Sequence, residues 1–293
     1  MGVQAYRTGT KIISWYVSLL DQLAIAQTRT PHVPPLPLRR NVQGEAAPQA
    51  FLDLGHRSRR DIAAALESIG RHITDFTQVL DFGCGCGRTL RWFDDVPAST
   101  QFFGTDVNPD AIAWCRQHLT FASFRVNQML PPLDYPDNTF DFVYALSVFT
   151  HLTEEQQFLW MAELKRIMQP NGLILLTFLG YDPHDTQRQT RPANETLQGL
   201  HPALSALGKG GPWSELGGPW GRLNRDALET LQRLGIVSLP YPPTLQLFFP
   251  DGYVDTFHTK TYIEHHFGKH FHLISYLPKG MTNFLDVTIM QKP

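Results

Sequence analysis

The first fifty residues carry an apolar pattern with helical spacing, followed by a proline-rich stretch. Over residues 11–25, one helical face would carry Ile12, Tyr16, Leu19 and Leu23. Residues 31–37 contain four prolines, a composition typical of an extended linker. Helical spacing then returns, with Ser58 as the predicted N-cap of a second helix. Residues 1–50 are therefore expected to form a helical cap and a linker ahead of the main domain.

Short apolar runs alternate with helical patterns from residue 78 onward. The predicted strands are 78–82, 102–106, 121–126, 140–149 and 173–179. One helix is predicted to begin after Asn108 and another after Thr153, because both residues are suited to N-capping. Pro170-Asn171-Gly172 is predicted to end the second of these helices. The alternation predicts a doubly wound, mostly parallel α/β sheet over residues 51–180.

This regular pattern is interrupted between residues 181 and 257. The segment is rich in glycine, proline and tryptophan and contains one helical stretch, residues 226–234. Long irregular segments inside a compact domain are usually lids or binding elements. We therefore predict that residues 181–257 are an inserted lid.

Regular elements return in the last part of the chain, residues 258–293. The pattern predicts a helix at 259–267 and two strands at 270–276 and 284–290. A tight turn at 278–280 joins the two strands, so they are expected to pair antiparallel. This part should complete the core sheet.

Composition and charge narrow the class of protein. Apolar residues make up 42% of the 293 residues and charged residues 18%, which is typical of a globular chain. A net charge of −2 gives no basic surface of the kind that nucleic acids require. Three cysteines form no disulfide framework and favour a reducing, cytoplasmic compartment. The N-terminal apolar run is interrupted by polar residues, so we expect no membrane partner.

A glycine-rich loop closes the first predicted strand, in the order Asp81-Phe-Gly83-Cys-Gly85-Cys-Gly87. Its glycines allow a sharp turn and let a ligand lie against main-chain N–H groups. A dinucleotide fingerprint would need a glycine at Arg88, and the carboxylate of Asp81 would repel a pyrophosphate. No Gly-Lys-Ser/Thr follows, which excludes a P-loop. A cationic, phosphate-free nucleoside such as S-adenosylmethionine therefore fits better than NAD.

Asp106 ends the second predicted strand, 19 residues after Gly87. A carboxylate at this edge can accept hydrogen bonds from both hydroxyls of a ribose. The alternative role is that of a helix-capping carboxylate.

Four segments together resemble the class I S-adenosylmethionine-dependent methyltransferases, most closely their small-molecule type 11/25 branch. They are 79–88, 104–109, 133–152 and 164–172. The resemblance covers residues 50–180 well and 258–291 loosely. It implies a Rossmann-like methyltransferase fold, with a doubly wound, mostly parallel seven-stranded α/β sheet, an antiparallel last strand, an N-terminal helical cap and an inserted lid. It also implies S-adenosylmethionine as cofactor and S-adenosylhomocysteine as product.

The resemblance implies a donor site at the strand ends. Asp81 and the glycine loop would face the methionine moiety, Asp106 the ribose and Val107 the adenine. Asn127 stands where the family often has an acid, yet its oxygen could still accept a bond from the adenine amino group. The implied donor-binding residues are Asp81, Gly83, Cys84, Gly85, Gly87, Arg88, Asp106, Val107, Asn127, Gln128, Leu146 and Ser147.

Several residues allow more than one role. His151 follows the fourth strand and is a candidate general base, or a structural histidine bonded to a loop carbonyl. Tyr16, Trp213 and Trp220 could contact the substrate or only pack. We predict no metal site, because Cys84 and Cys86 have poor spacing for zinc, and the late histidines (His258, His265, His266, His270, His272) are expected on the surface.

These patterns predict an enzyme that transfers a methyl group by in-line displacement to an O or N atom of a small-molecule acceptor. The cap and the lid at 181–257 would form the acceptor pocket. Two alternatives remain: an S-adenosylmethionine-dependent enzyme with a non-methylating reaction, and a catalytically silent cofactor-binding partner protein. The acceptor's identity and the oligomeric state are not indicated by the sequence.

Overall fold

A computed structural model describes residues 18–43, 47–185, 222–241 and 252–293 of the chain. Its first three helices are α1 (18–28), α2 (Leu36–Gln43) and α3 (Pro48–Glu67). The linker prediction is wrong in its second half, because α2 begins inside it at Leu36. Tertiary contacts explain this start, since the buried Asp21 carboxylate accepts the Leu36 N–H at 3.0 Å.

The prediction for the start of the next helix is also wrong. α3 begins at Pro48, with a proline in its first turn, and Ser58 lies buried in its middle. Proline is well tolerated at a helix N-terminus because its missing N–H would have no partner there. Ser58 is therefore a buried residue in the middle of α3 and does not cap a helix.

Five parallel strands form the centre of the sheet. They are β1 (Gln78–Phe82), β2 (Gln101–Asp106), β3 (Ala122–Val126), β4 (Phe140–Ala145) and β5 (Met168–Tyr181). Their spatial order is β3-β2-β1-β4-β5, with all neighbouring pairs parallel. The predicted doubly wound sheet is confirmed. Pro170 to Gly172 lie within β5, which starts at Met168, so that predicted stop was too late.

The helices between these strands follow the predicted caps. α4 (Pro109–His118) is capped by Asn108, whose side chain accepts from the backbone N–H groups of Asp110 and Ala111. α5 (Glu154–Ile167) begins with the predicted capping box at Thr153. A 3₁₀ turn, Leu90–Phe93, follows the glycine loop.

The C-terminal half adds four strands and two helices. They are α6 (Arg225–Leu234), β6 (Ile236–Pro240), β7 (Val254–Thr259), α7 (Lys260–His266), β8 (His272–Met281) and β9 (Leu285–Gln291). β9 runs antiparallel to both β5 and β8, which confirms the antiparallel last strand. The sheet of the described residues has nine strands rather than seven.

The two additional strands come from the predicted lid. β5 is 14 residues long; its first part pairs with β9, and its last residues, Leu179–Tyr181, pair with β7. β7 in turn pairs antiparallel with β6. This part of the lid therefore extends the sheet beyond the carboxyl end of the core.

The core occupies both faces of the sheet. One apolar cluster includes Phe142, Tyr144 and Leu175, and a second includes Val143, Trp160 and Ile174. Alternate residues of β4 thus point to opposite faces and are buried on both. Among the described helices, none combines the length and apolar character that a bilayer crossing requires.

Candidate functional site

Asp106 connects the end of β2 to the glycine loop that follows β1. One carboxylate oxygen accepts the Gly85 N–H at 2.8 Å, and the other accepts the Asn108 N–H at 2.9 Å. Burial raises the pKa of this carboxyl, and the backbone N–H groups oppose that effect. Since each carboxylate oxygen has two lone-pair directions, both can accept one further hydrogen bond.

The glycine loop has a backbone that side chains would obstruct. Gly83, Gly85 and Gly87 all have positive φ (79°, 54° and 72°). A Cβ at Gly83 would lie 2.3 Å from Val148, and one at Gly85 would lie 2.5 Å from Val42 of α2. The loop is therefore packed between the turn after β4 and the N-terminal cap. Its bare backbone and the Asp106 oxygens fit a nucleoside that lies against main-chain N–H groups.

Asp81 is a buried carboxyl at the end of β1, with only 3% of the residue exposed. Burial raises its pKa to about 8; the Asp106 charge adds to this increase, while Tyr144 and Arg88 oppose it. A carboxyl in this environment favours an incoming cation, because a positive charge would stabilise its ionised form.

The three cysteines surround the same loop without forming a metal site. The thiols of Cys84 and Cys115 both donate to the Gly85 carbonyl at 3.6 Å, and the Cys86 thiol donates to the Leu38 carbonyl at 3.6 Å. All three are buried. The described ranges contain no group of three or more His, Cys, Asp or Glu side chains that could hold a metal ion. Arg88 lies beside this loop, and burial lowers its pKa.

The ends of β3 and β4 lie at the same edge of the sheet. The Asn127 N–H donates to the Asp106 carbonyl at 3.0 Å, and its side-chain oxygen accepts the Thr105 hydroxyl at 2.8 Å. Gln128 follows and is exposed. After β4, Leu146 packs against the core and Ser147 has a φ of 58°, with its N–H bonded to the Thr177 hydroxyl at 2.8 Å.

His151 ends a 3₁₀ turn, Phe149–His151, that buried hydrogen bonds hold in place. The Gln157 amide donates to the carbonyls of Phe149 and Leu152, at 2.8 and 3.1 Å. Gln157 is bonded through its oxygen to Nε2 of the buried His258, at 2.9 Å. These contacts fix the backbone on both sides of His151.

The His151 side chain lies against β7 and the residue after β6. Its Nδ1 is 3.1 Å from the Val254 carbonyl, 3.2 Å from the Tyr241 hydroxyl and 3.8 Å from the Asp255 carboxylate. Its ring stacks on Tyr253 at 5.6 Å between centroids. Burial lowers the pKa of His151, and Asp255 and the Val254 carbonyl partly compensate. The imidazole is therefore neutral near pH 7.

Tyr253 connects this region to the donor side of the sheet edge. Burial raises the pKa of Tyr253 to about 12, and the negative charge of Asp106 contributes to the increase. The phenol thus lies within electrostatic reach of Asp106 while its ring stacks on His151.

A protein family model matches the central part of the sequence. Residues 80–176, which run from β1 into β5 and contain the glycine loop, match a family described as a methyltransferase domain. The match covers 97 of the 293 residues and so indicates a methyltransferase domain over this part of the chain.

Solved structures similar to this chain are remote in sequence. A protein from Pyrococcus horikoshii OT3 is 17% identical, with a TM-score of 0.47, over 83% of this chain and 95% of its own. An S-adenosylmethionine-dependent methyltransferase from Mesorhizobium loti is 13% identical, with a TM-score of 0.47, over 78% and 96% of the two chains. The 1,6-didemethyltoxoflavin-N1-methyltransferase of Burkholderia thailandensis, also 13% identical, has a TM-score of 0.47 over 80% and 78%.

Most of the predicted site residues meet at one edge of the sheet. Asp81 and Asp106 lie at the carboxyl ends of β1 and β2, and the glycine loop, Asn127 and Ser147 follow the carboxyl ends of β1, β3 and β4. Tyr16, Trp213 and Trp220 lie outside the described residues. The prediction that His258 is a surface residue is wrong, because β7 places it in the core, fully buried.

Three residues that contact His151 or its partners were not predicted as site residues from the sequence. Tyr241, Tyr253 and Asp255 belong to or flank the two unpredicted strands. The Asp251-Gly252 dipeptide before a run rich in β-branched and aromatic residues was the available signal for β7. The register that brings these residues to His151 depends on pairing with β5 and β6.

Proposed function

We propose that this protein is an S-adenosylmethionine-dependent methyltransferase that methylates an O or N atom of a small-molecule acceptor, with His151 as the group that accepts the acceptor's proton. One observation carries the proposal. His151 stacks on Tyr253, and the negative charge of Asp106 contributes to the raised pKa of Tyr253, which supports a proton acceptor on the donor side of the sheet edge. In its alternative, structural role, His151 bonds to a loop carbonyl. That bond uses Nδ1 and leaves Nε2 as the atom that can accept a proton.

The donor would be held by groups at the ends of β1 and β2. Asp106 would accept hydrogen bonds from the ribose through oxygens already oriented by Gly85 and Asn108. Asp81 would face the positive charges of the methionine moiety, and Val107, Asn127 and Gln128 would lie toward the adenine. When bound, S-adenosylmethionine supplies a methyl group on a positively charged sulfur.

The protein's own contribution is alignment, exclusion of water and removal of a proton. Correct orientation of two reactants can supply about 7–11 kcal/mol of the barrier in favourable cases. A neutral imidazole can take a proton from a hydroxyl or a protonated nitrogen, whereas a carboxylate acceptor would need no base.

The residues around His151 and the charge of the chain support a small acceptor. Tyr241, Tyr253 and β7 come from the extension of the sheet, and Tyr241 and Tyr253 lie beside His151, so side chains from two parts of the chain surround the proposed base. The net charge of −2 offers no attraction to a polyanionic nucleic acid.

The test is a product assay with full-length protein. Hydroxylated, amine and carboxylate compounds are each incubated with S-adenosylmethionine, and mass spectrometry follows S-adenosylhomocysteine and methylated product. We expect turnover with hydroxyl or amine compounds and a strong loss in His151→Ala. Turnover with carboxylates alone, or equal rates in His151→Ala, would contradict the role of His151. Methylation of protein or nucleic acid only would contradict a small acceptor.

A further inference from the structure

Asp255 is a buried carboxylate that lies behind the Nδ1 side of His151. It is 1% exposed, and its Oδ1 lies 3.8 Å from Nδ1. We propose that Asp255, acting through the Tyr241 hydroxyl, is a positioning residue that keeps the proton of His151 on Nδ1 and thereby leaves Nε2 free to accept a proton. This inference rests on the proposed function of His151.

The hydrogen-bond directions around Nδ1 support this assignment. The Val254 carbonyl, 3.1 Å away, can only accept. The Tyr241 hydroxyl has one proton, which it donates to Asp255 Oδ1 at 2.9 Å, so its oxygen presents lone pairs to Nδ1 at 3.2 Å. Every polar neighbour of Nδ1 among the described residues is therefore an acceptor. A neutral imidazole with its proton on Nδ1 satisfies them, and Nε2 then carries the lone pair.

Asp255 is buried but has a cationic partner. The Arg222 guanidinium forms an ion pair with Oδ2 and also donates to the Leu239 carbonyl at 3.1 Å. The same guanidinium lies 5.0 Å from the centre of the Tyr241 ring. A buried charge that is both paired and hydrogen-bonded stays charged. Asp255 therefore presents a negative charge to His151.

This arrangement suits the proton transfer that the proposed reaction requires. The acceptor's O–H or N–H bond breaks and its proton moves to Nε2. The acceptor atom forms its new bond to the methyl carbon, while the sulfur keeps the electron pair of the broken C–S bond. The positive charge passes from sulfur to the imidazolium, which Asp255 stabilises and which then releases its proton to water. The acceptor class is thus a hydroxyl or a protonated nitrogen.

The charged and titratable groups that face His151 come from several elements. Asp255 and Tyr253 belong to or precede β7, Tyr241 follows β6, and Arg222 precedes α6. Asp106 acts on Tyr253 from the end of β2. Of these groups, Asp255 brings a carboxylate oxygen to within 3.8 Å of Nδ1, so its removal should change the titration of His151 most.

The experiment is ¹⁵N NMR of the full-length protein, with His151 assigned by comparison with His151→Gln. In the wild type, we expect a protonated Nδ1 and an unprotonated Nε2 in the neutral form. In Asp255→Asn, the imidazole should titrate about one pH unit lower, because the nearby negative charge is lost. With an active acceptor, the acidic limb of kcat/KM against pH should move to lower pH by the same amount.

Two further variants keep the result interpretable. Asp255→Asn leaves the buried Arg222 without its carboxylate partner, so Arg222→Gln combined with Asp255→Asn removes both charges and should still lower the titration of His151, by a smaller amount because loss of the cation acts in the opposite sense. Asp286→Asn is the matched control, since Asp286 is a buried carboxylate on β9 that also accepts a tyrosine hydroxyl, that of Tyr276. It should leave the titration of His151 unchanged.

The outcomes separate this inference from the proposed function. A neutral His151 protonated on Nε2, or an unchanged titration in the folded double variant, would overturn the role of Asp255. The NMR result needs no acceptor, so it stands if no methylation of a small molecule is found. Conversely, methylation that survives in His151→Ala would refute the proposed base even if the NMR result agrees.

Discussion

The imidazole of His151 lies nearly parallel to the phenol ring of Tyr253, with 15° between the planes and 5.6 Å between the centroids. The two residues are about one hundred positions apart in the chain, and β7 brings them together. The negative charge of Asp106, at the end of β2, contributes to the raised pKa of the same phenol. Tyr253 is therefore influenced both by the region after β4 and by the end of β2. The site therefore depends on the extension of the sheet as well as on its core.

Tyr253 should support acceptor turnover through its ring. We expect Tyr253→Ala to reduce kcat/KM for the acceptor by about tenfold, because loss of an aromatic contact exposes and loosens the imidazole. Tyr253→Phe keeps the ring and should retain most of the activity. Steady-state kinetics with a fixed, saturating donor concentration measure both. Equal activity in all three proteins would show that the stack has no role.

Asp106 should dominate donor affinity. Asp106→Asn replaces a carboxylate by a carboxamide, which cannot accept from Gly85 and Asn108 with both of its polar atoms. We expect the donor to bind about 10- to 100-fold more weakly, as measured by calorimetry with S-adenosylhomocysteine. Asp110→Asn, an exposed change in the first turn of α4, is the control and should leave affinity unchanged. Wild-type affinity in Asp106→Asn would contradict the ribose assignment.

The raised pKa of Asp81 predicts that donor binding depends on pH. The site is mostly protonated below its pKa of about 8, and a bound cation favours the ionised form. Affinity for S-adenosylmethionine should therefore increase as the pH rises from 6 to 8, with release of a proton. Calorimetry in buffers of different ionisation enthalpy measures that proton. Asp81→Asn should remove this part of the pH dependence; a pH profile identical to the wild type would refute it.

The same carboxyl should affect stability in the absence of donor. Its pKa in the folded protein is higher than in the unfolded chain, so the folded state binds a proton that the unfolded state releases. The contribution of Asp81 to stability is complete below about pH 4 and is lost as the pH rises toward 8. Denaturant unfolding should show this loss in the wild type and its absence in Asp81→Asn.

The contact between the cap and the glycine loop can be tested at Gly85. Gly85→Ala places a Cβ 2.5 Å from Val42 at a positive φ, whereas Gly70→Ala has a similar φ with nothing within 4 Å. We expect Gly70→Ala to lower the free energy of unfolding by about 1 kcal/mol, and Gly85→Ala to lower it further. Val42→Ala combined with Gly85→Ala should remove the additional loss. If the double variant is no more stable than Gly85→Ala, the contact with Val42 of the cap does not cause the additional loss.

Local sequence determined the central part of this protein. The strand pattern, the caps at Asn108 and Thr153, the glycine loop and the acid at Asp106 all depend on neighbouring residues, so periodicity and turn chemistry predicted them. The start of α2 and the middle position of Ser58 were mispredicted because packing against Asp21 and the core overrode the local signals.

Only the tertiary structure decided the partners of His151 and the charge state of Asp81. The contact between His151 and Val254 spans 103 positions, and that with Tyr241 spans 90. Such contacts require the register of β5, β6 and β7, which the glycine- and proline-rich sequence of the lid does not specify locally. The pKa of Asp81 likewise follows from burial, which the whole packed sheet imposes and no short stretch of sequence contains.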